Sequence, residues 1–329
     1  MYIYKIIILI LIKFIFINSA PTIASEQDFE SWLASYKQTV IKKGISQQTI
    51  DLAFKNVKFL EKVIGYDRKQ PEFFEDTITY VSKRANNSRA KKAKQLLEKN
   101  HDLFIEVENK FKVEKEILLS LWGIETNFGK HVGKMDIISS LATLSFDKRR
   151  RDFFSAQLFT LLTLIDDDLI EVDTLYGSWA GAYGNFQFMP STIKNYAIDY
   201  DGNNKIELKT SLYDSLASAA NYINKIGWKM GEPCFYRVKT NNDIKKKYIN
   251  TSARKIKNRL KISKWKNKNV VNVDGSELKS NLKAALIQPD GKTGTPTYLV
   301  FQNYEKILKW NRSLRFGISV CTLANMIKA

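Results

Sequence analysis

Residues 117–129 read Ile117-Leu118-Leu119-Ser120-Leu121-Trp122-Gly123-Ile124-Glu125-Thr126-Asn127-Phe128-Gly129, and the spacing within this run points to an α-helical fold. Counting back from Glu125 by three, four and seven residues gives Trp122, Leu121 and Leu118. On an α-helix these side chains share one face, so the carboxyl of Glu125 lies on the apolar side. A carboxyl held against apolar groups resists ionisation, and its pKa rises. A general acid working near neutrality requires that property. A solvated glutamate near a helix end is the ordinary alternative, and spacing by itself does not separate the two.

Some sixty residues on stands Gly177-Ser178-Trp179-Ala180-Gly181-Ala182-Tyr183-Gly184-Asn185-Phe186-Gln187-Phe188-Met189-Pro190-Ser191-Thr192. Its glycines and small residues imply tight backbone approaches beside flat apolar rings. Sugars bind such surfaces, because their C–H faces stack on rings while hydroxyls and amides find polar partners. Gln187 can donate and accept at one point, which suits an N-acetyl or hydroxyl group. A glycine-mediated packing loop is the bland alternative.

Working outward, residues 25–112 read as an N-terminal helical region, with apolar residues at three- and four-residue intervals, as in Trp32, Tyr36 and Val40. Residues 113–228 form the expected catalytic core. Residues 229–300 read as a small, basic, partly β insertion, with short strands expected at 270–273, 285–288 and 297–300. Residues 301–329 are expected to return to the core as a C-terminal helix. Within the insertion, the run from Lys245 to Lys268 holds eleven Lys or Arg and no acid. It is either a solvated face or a surface that steers substrate.

The 329 residues are 44% hydrophobic and 12% aromatic, which fits a folded globular protein. Residues 1–24 read as an export signal: Lys5, an apolar stretch from Ile6 to Ile17 broken by Lys13, then small residues with cleavage expected after Ala24. An uncleaved membrane anchor is the alternative, but the stretch is short for a span. No cysteine lies nearby to carry a lipid. The net charge is +18, and loss of Lys5 and Lys13 leaves +16. That charge favours a polyanionic partner. Export argues against nucleic acid and leaves anionic lipid or a carboxylate-rich polymer. Cys234 and Cys321 are the only cysteines, enough for one disulfide if they approach each other. With His101 and His131 the only histidines, a zinc site or a Ser–His–Asp triad is disfavoured.

Glu125-Thr126-Asn127-Phe128-Gly129 followed by Gly181-Ala182-x-Gly184-x-x-Gln187-Phe188-Met189-Pro190-Ser191 resembles the pattern of the B-type lytic murein transglycosylases, glycoside hydrolase family 103. The likeness continues through Ile137-Ile138, Leu141 to Phe146, the arginines before Phe153-Phe154, Asp214 to Tyr222, and Trp310-Asn311-Arg312-Ser313. It implies a mainly α fold: a lysozyme-like catalytic α domain with an N-terminal helical region and a small α+β insertion. It also implies one catalytic carboxyl, Glu125, cutting the bond between N-acetylmuramic acid and N-acetylglucosamine to leave a 1,6-anhydro end. No second carboxylate is then required, unlike in most glycosidases. Carried over residue by residue, the substrate-binding positions are Ser178, Gln187, Tyr183, Trp310, Asn311 and Phe316. Trp310 and Phe316 stand where the family often has tyrosine. Trp310 keeps a stacking ring, and Phe316 lacks the phenolic hydroxyl.

The same resemblance implies no obligatory cofactor, but some members bind a structural calcium at a loop like Asp199-Tyr200-Asp201-Gly202-Asn203-Asn204-Lys205. The ligands expected here are Asp199, Asp201, Asn203 and Asp214, with oxygens alternating along a tight turn. Asn203 replaces an acid and Asn204 replaces the turn glycine, so an Asx-rich turn without metal is the alternative. The expected partners are peptidoglycan glycan strands and cell-wall synthesis proteins, and the expected place is the periplasm. A muramidase that admits water and a non-catalytic peptidoglycan-binding protein are the competing functions.

Overall fold

The computed structural model describes residues 26–69, 75–240 and 244–329. The expected export signal lies outside them. Among the described residues no helix is long and apolar enough to cross a membrane.

Among the described residues six α-helices come first: α1 (Glu26–Lys42), α2 (Gln47–Ala53), α3 (Glu61–Arg68), α4 (Thr77–Arg84), α5 (Asn87–Lys99) and α6 (His101–Phe111). Their starts are chemically marked. Ser46, Asp76 and Asn86 each accept the N–H three residues on, at 3.2, 3.0 and 3.0 Å, satisfying donors that a helix start leaves free.

The core is built on α7 (Lys115–Thr126), which carries Glu125 in its last turn. Leu118, Leu119 and Leu121 are fully buried, so α7 is enclosed on most of its circumference, as an internal helix must be. Around it lie α8 (Ile137–Phe146), α9 (Arg151–Asp166), α10 (Pro190–Tyr196) and α11 (Leu212–Lys225). A two-residue antiparallel pairing of β1 (Met135–Asp136) with β2 (Tyr176–Gly177) ties the segment after Glu125 to the glycine-rich loop. Gly133, at φ +90°, lies under this pairing. A β-carbon there would sit 2.1 Å from the carbonyl oxygen of Gly177, so only glycine fits.

The insertion carries a six-stranded sheet of β3 (Phe235–Lys239), β4 (Ile249–Asn250), β5 (Leu260–Lys261), β6 (Val271–Asn272), β7 (Lys283–Ile287) and β8 (Thr297–Val300), with α12 (Ile262–Lys266) beside it. The order is β4-β7-β8-β3-β6, with β5 on β7, and all pairs except β4–β7 are antiparallel. It has its own small core of Val238, Ile262, Trp265, Leu286, Leu299 and Phe301. Trp265, inside the basic run, is fully buried and its Nε1 donates to Ala284 O at 2.9 Å. The cations of that run are therefore the outer face of a packed unit.

The C-terminal segment is two helices rather than one. After α13 (Gln302–Trp310) the chain breaks at Asn311, and α14 (Leu314–Lys328) starts afresh with Ser313 as its cap. Asn311 is extended, at φ −135° and ψ 121°, which ends α13. Helix α14 packs most extensively on α7 and α4. Cys234, just before β3, is bonded to the buried Cys321 of α14 across 87 residues of sequence, which fastens the insertion to the core.

Candidate active site

The break after α13 brings Trp310 to Glu125. The indole Nε1 of Trp310 donates to Oε1 of the carboxyl at 2.9 Å. Glu125 is only partly accessible, and burial drives its pKa up to about 7, against a smaller downward pull from the Trp310 N–H. Its place in the last turn of α7 acts in the same direction as burial, because the carbonyl end of a helix disfavours an anion. Among the described residues no other carboxylate acts on it electrostatically.

Trp310 is itself held in an aromatic stack. Its ring lies 5.1 Å from Tyr222 at 26°, and Tyr222 lies 4.4 Å from Tyr196 at 27°. Phe186 and Phe188 meet Trp310 edge-on at 6.2 and 5.2 Å. Such offset and edge contacts fix ring orientation as well as bury area. The Tyr222 hydroxyl donates to Lys309 O at 3.1 Å, and burial pushes its pKa up to about 12. It therefore stays neutral.

Asn185 joins the glycine-rich loop to the end of α7. Its Oδ1 accepts from Trp122 Nε1 at 3.1 Å, and its carbonyl accepts from the Thr126 hydroxyl at 2.8 Å. Its own N–H donates to Leu208 O at 2.8 Å. The residues on either side of Glu125 on α7 are thus pinned to the loop. Gly181, at φ +86°, lets that loop settle on Leu141, where a β-carbon would meet Cδ2 at 2.4 Å.

The expected substrate positions separate into two groups. Ser178 is part-buried, and its Oγ accepts the N–H groups of Ala180 and Ala182 at 3.2 and 3.0 Å. With both lone pairs engaged, the hydroxyl can only donate, so it suits an acceptor such as a sugar amide carbonyl. Beside it, Trp179 leans on the half-exposed ring of Tyr66 with centroids 6.4 Å apart. Asn311 follows Trp310 and is part-buried. Gln187, at φ +53°, uses its amide nitrogen within the protein, donating to Val132 O at 3.1 Å and Gly184 O at 2.9 Å, which leaves Oε1 as its outward function.

Tyr183 and Phe316 are placed differently from the expectation. Tyr183 is 5% exposed, with its hydroxyl bonded to Thr174 Oγ1 at 3.1 Å, and Phe316 is 3% exposed in the first turn of α14. Both side chains are buried, so little of either ring is open to a ligand. Sequence reasoning gave no role to Asn185, Tyr196 or Tyr222. Asn185 and Tyr222 lay inside quoted motif stretches, yet their partners are far away in the chain.

At the expected calcium loop, one carboxylate oxygen each from Asp199, Asp201 and Asp214 lies within 4.8 Å of the others. Oxygens bound at about 2.4 Å to one ion can be at most twice that apart, so the three are close enough to share one cation of calcium's size. Asp214 is fully buried, and burial raises its pKa. Backbone N–H groups of Glu207 and Tyr200 and the neighbouring Asp201 act on it too. Asn203 is turned toward its own loop, donating to Glu207 Oε2 at 2.8 Å and accepting from Lys205 N at 2.9 Å. A cavity of about 660 Å3 in the insertion, lined in part by Ile78, Arg237 and Gln288, contains none of these groups.

Known proteins share this architecture. The crystal structure of SltB3 from Pseudomonas aeruginosa in complex with NAG-NAM-pentapeptide superposes with a TM-score of 0.84 at 33% identity, covering 92% of this chain and 80% of that one. Slt35 of Escherichia coli, solved in complex with calcium, gives 0.77 at 25% identity, covering 90% and 92%. The membrane-bound lytic murein transglycosylase B of Escherichia coli strain K12 is 31% identical over 221 residues, 65% of this chain but only 57% of that protein's length. The transglycosylase SLT domain model matches residues 28–325, and the chain belongs to that family, with its lysozyme-like fold.

Proposed function

We propose that the chain is a lytic transglycosylase that cuts peptidoglycan strands between N-acetylmuramic acid and N-acetylglucosamine, with Glu125 as its sole acid/base catalyst. The observation that carries this is the carboxyl of Glu125, raised to a pKa of about 7 and held by one N–H donor. Because Oε1 accepts from Trp310, the proton of the neutral acid resides on Oε2. That oxygen protonates the glycosidic oxygen as the bond to C1 breaks, with the electron pair leaving on the N-acetylglucosamine oxygen. The resulting carboxylate then takes the proton of the muramoyl 6-hydroxyl as that oxygen attacks C1. A ring-closed 1,6-anhydro end forms without water, and the acid is restored for the next cycle.

Ser178 donates to a sugar acceptor, and Asn311, next to Trp310 in the chain, offers an amide. Asp199, Asp201 and Asp214 hold a structural calcium that braces the loop before α11. The Cys234–Cys321 disulfide supports an oxidising, extracytoplasmic setting, in keeping with an export signal at residues 1–24. SltB3 was crystallised with NAG-anhNAM-pentapeptide as well, which is the kind of product this reading assigns.

The test is mass analysis of purified glycan strands after digestion by wild type and by Glu125→Gln. The expected products are anhydro ends from the wild type, lighter than a reducing end by one water, and none from the variant. Reducing ends throughout would point to a muramidase, and undiminished cleavage by the variant would overturn the assignment of Glu125.

A further inference from the structure

The positive charge of the chain is gathered in one place. Residues 229–300 hold seventeen Lys or Arg and five Asp or Glu, a net charge of +12, so the other 257 residues share only +6 of the chain's +18. A lysine-rich composition spread evenly would not give this asymmetry. Part of the charge is packed around one buried ring. Trp265 of α12 donates to Ala284 O, next to Lys283 in β7, and Tyr248 meets it edge-on at 6.0 Å. The ammonium groups of Lys247 and Lys268 lie 5.3 and 4.8 Å from the centre of that Tyr248 ring. Lys261 of β5 and Lys283 of β7 are direct partners across an antiparallel pair, so their side chains leave the sheet side by side. Like charges placed this way repel and cost stability. Lys264 stands exposed on α12 between them and Trp265 in sequence. Among the described residues none of these five lysines forms an ion pair, whereas Arg259 pairs with Glu305 and Lys266 with Glu277.

The chemistry of this face says what it meets. Fourteen of the seventeen cations are Lys, whose ammonium is a compact, hydrated point charge without the planar fork by which Arg grips one carboxylate. Such a face responds to the density of negative charge rather than to the shape of one ligand. Leu282, next to Lys283, is 37% exposed and sets an apolar side chain beside the cations. A bilayer answers both features, since its anionic headgroups attract lysines and its interface accepts an apolar side chain. A carboxylate-bearing polymer answers only the first. We propose that the lysine face of the insertion, around Lys247, Lys261, Lys264 and Lys283, docks on an anionic phospholipid surface. The Cys234–Cys321 bond fastens the insertion to α14, so docking holds the core of the protein at that surface. This attachment needs no membrane-spanning helix, and it does not depend on the peptidoglycan reading.

The test is sedimentation of the full chain with vesicles of phosphatidylglycerol mixed into phosphatidylcholine, and with vesicles of phosphatidylcholine alone. The second arm reads any contribution of the apolar stretch at 6–17, which all variants share. The protein should partition onto the anionic vesicles more strongly than onto the neutral ones, and the excess should shrink as salt rises from roughly 0.05 to 0.3 M. Each lysine near a charged bilayer is worth about a factor of five, so Lys247→Gln/Lys261→Gln/Lys264→Gln/Lys283→Gln should weaken the partition by at least roughly 100-fold. A control of equal charge loss on α5, Lys91→Gln/Lys92→Gln/Lys94→Gln/Lys99→Gln, should keep most of it. The exposed Lys283→Gln alone, which leaves every buried group in place, should weaken it about fivefold, so the test does not hang on how well the quadruple variant folds. Equal partition onto the two kinds of vesicle, or an equal fall in the control, overturns the proposal. A third arm uses insoluble peptidoglycan and a Glu125→Gln background, which keeps the polymer from being cut. Lysine-dependent pelleting there without any preference for anionic vesicles would make the wall polymer the partner and overturn the proposal as well.

Discussion

The indole N–H of Trp310 points at Oε1 of Glu125 over 2.9 Å, and the ring that carries it is clamped by Tyr222 on one face and by Phe186 and Phe188 at its edge. An indole donates only, and cannot ionise or accept. It therefore marks one carboxyl oxygen as the acceptor and leaves the other for the proton. The same bond opposes the rise that burial imposes on the pKa of Glu125.

Removing that donor should show in the pH profile. Trp310→Phe keeps an aromatic ring but loses the N–H, so the Glu125 pKa should climb above about 7. The active form is the protonated acid, so the alkaline limb of activity moves to higher pH, by up to about one unit if the bond is worth ~1.5 kcal/mol. The rate at the optimum should fall, because the carboxyl is no longer aimed. A profile that keeps its alkaline limb while the rate drops would show that Trp310 acts through packing alone.

Glu125 should trade stability for activity. An acid whose folded pKa is about 7, against 4.5 when unfolded, binds its proton more tightly in the folded state. Folding stability therefore declines as pH rises from 4.5 through 7 and is flat above. Glu125→Gln removes the penalty. At pH 8 the variant should be more stable by up to about 3 kcal/mol, and at pH 4 by little. Its activity should fall by at least roughly 100-fold. Urea melts at the two pH values decide this, and a gain of the same size at both would refute the sheltered-acid account.

How legible all this was in the sequence depends on the range of the interaction. The helix carrying Glu125 could be read because Leu118, Leu121 and Trp122 mark its buried face within two turns. The glycine-rich loop could be read from Gly181 and its neighbours for the same reason. The hydrogen bond from Trp310 could not, since 185 residues separate the partners. The α13–α14 break was also missed, because Asn311 and Ser313 are weak local signals inside an apolar helical pattern. The burial of Tyr183 could not be read, because an aromatic among glycines looks the same whether its ring faces solvent or Thr174. Strand β3 was overlooked too: Arg237 and Lys239 mask its alternation, and only pairing with β8 and β6 makes it a strand.

Asn185 is expected to be a folding hinge of the site rather than a sugar ligand. Asn185→Ala leaves the buried Trp122 Nε1 without its acceptor, a loss of about 1–3 kcal/mol. Chemical denaturation should register that loss. If stability is untouched, the join between α7 and the glycine-rich loop is not carried by this side chain.

The Cys234–Cys321 bond closes a loop of 87 residues. By chain entropy such a closure is worth about 4.6 kcal/mol, so Cys234→Ser/Cys321→Ser should unfold at markedly lower denaturant concentration. Equal stability with and without reductant would count against it.

The loop at Asp199 offers the last test. Three carboxylate oxygens gathered within 4.8 Å repel one another unless a cation sits between them. Burial of Asp214 sharpens that repulsion. Calcium bound only by the folded chain stabilises it by mass action, about 2.7 kcal/mol at 100 times the dissociation constant. Addition of calcium should therefore raise the Tm by several degrees over chelator-treated protein at equal ionic strength. Magnesium should not substitute, because it demands shorter bonds and near-octahedral geometry. Asp201→Asn, at the most exposed of the three, removes one charge without disturbing the core and should weaken the calcium response. A Tm indifferent to calcium, together with no heat of binding in titration calorimetry, would leave the loop as a turn held by backbone bonds to Asp199 and Asp214 alone.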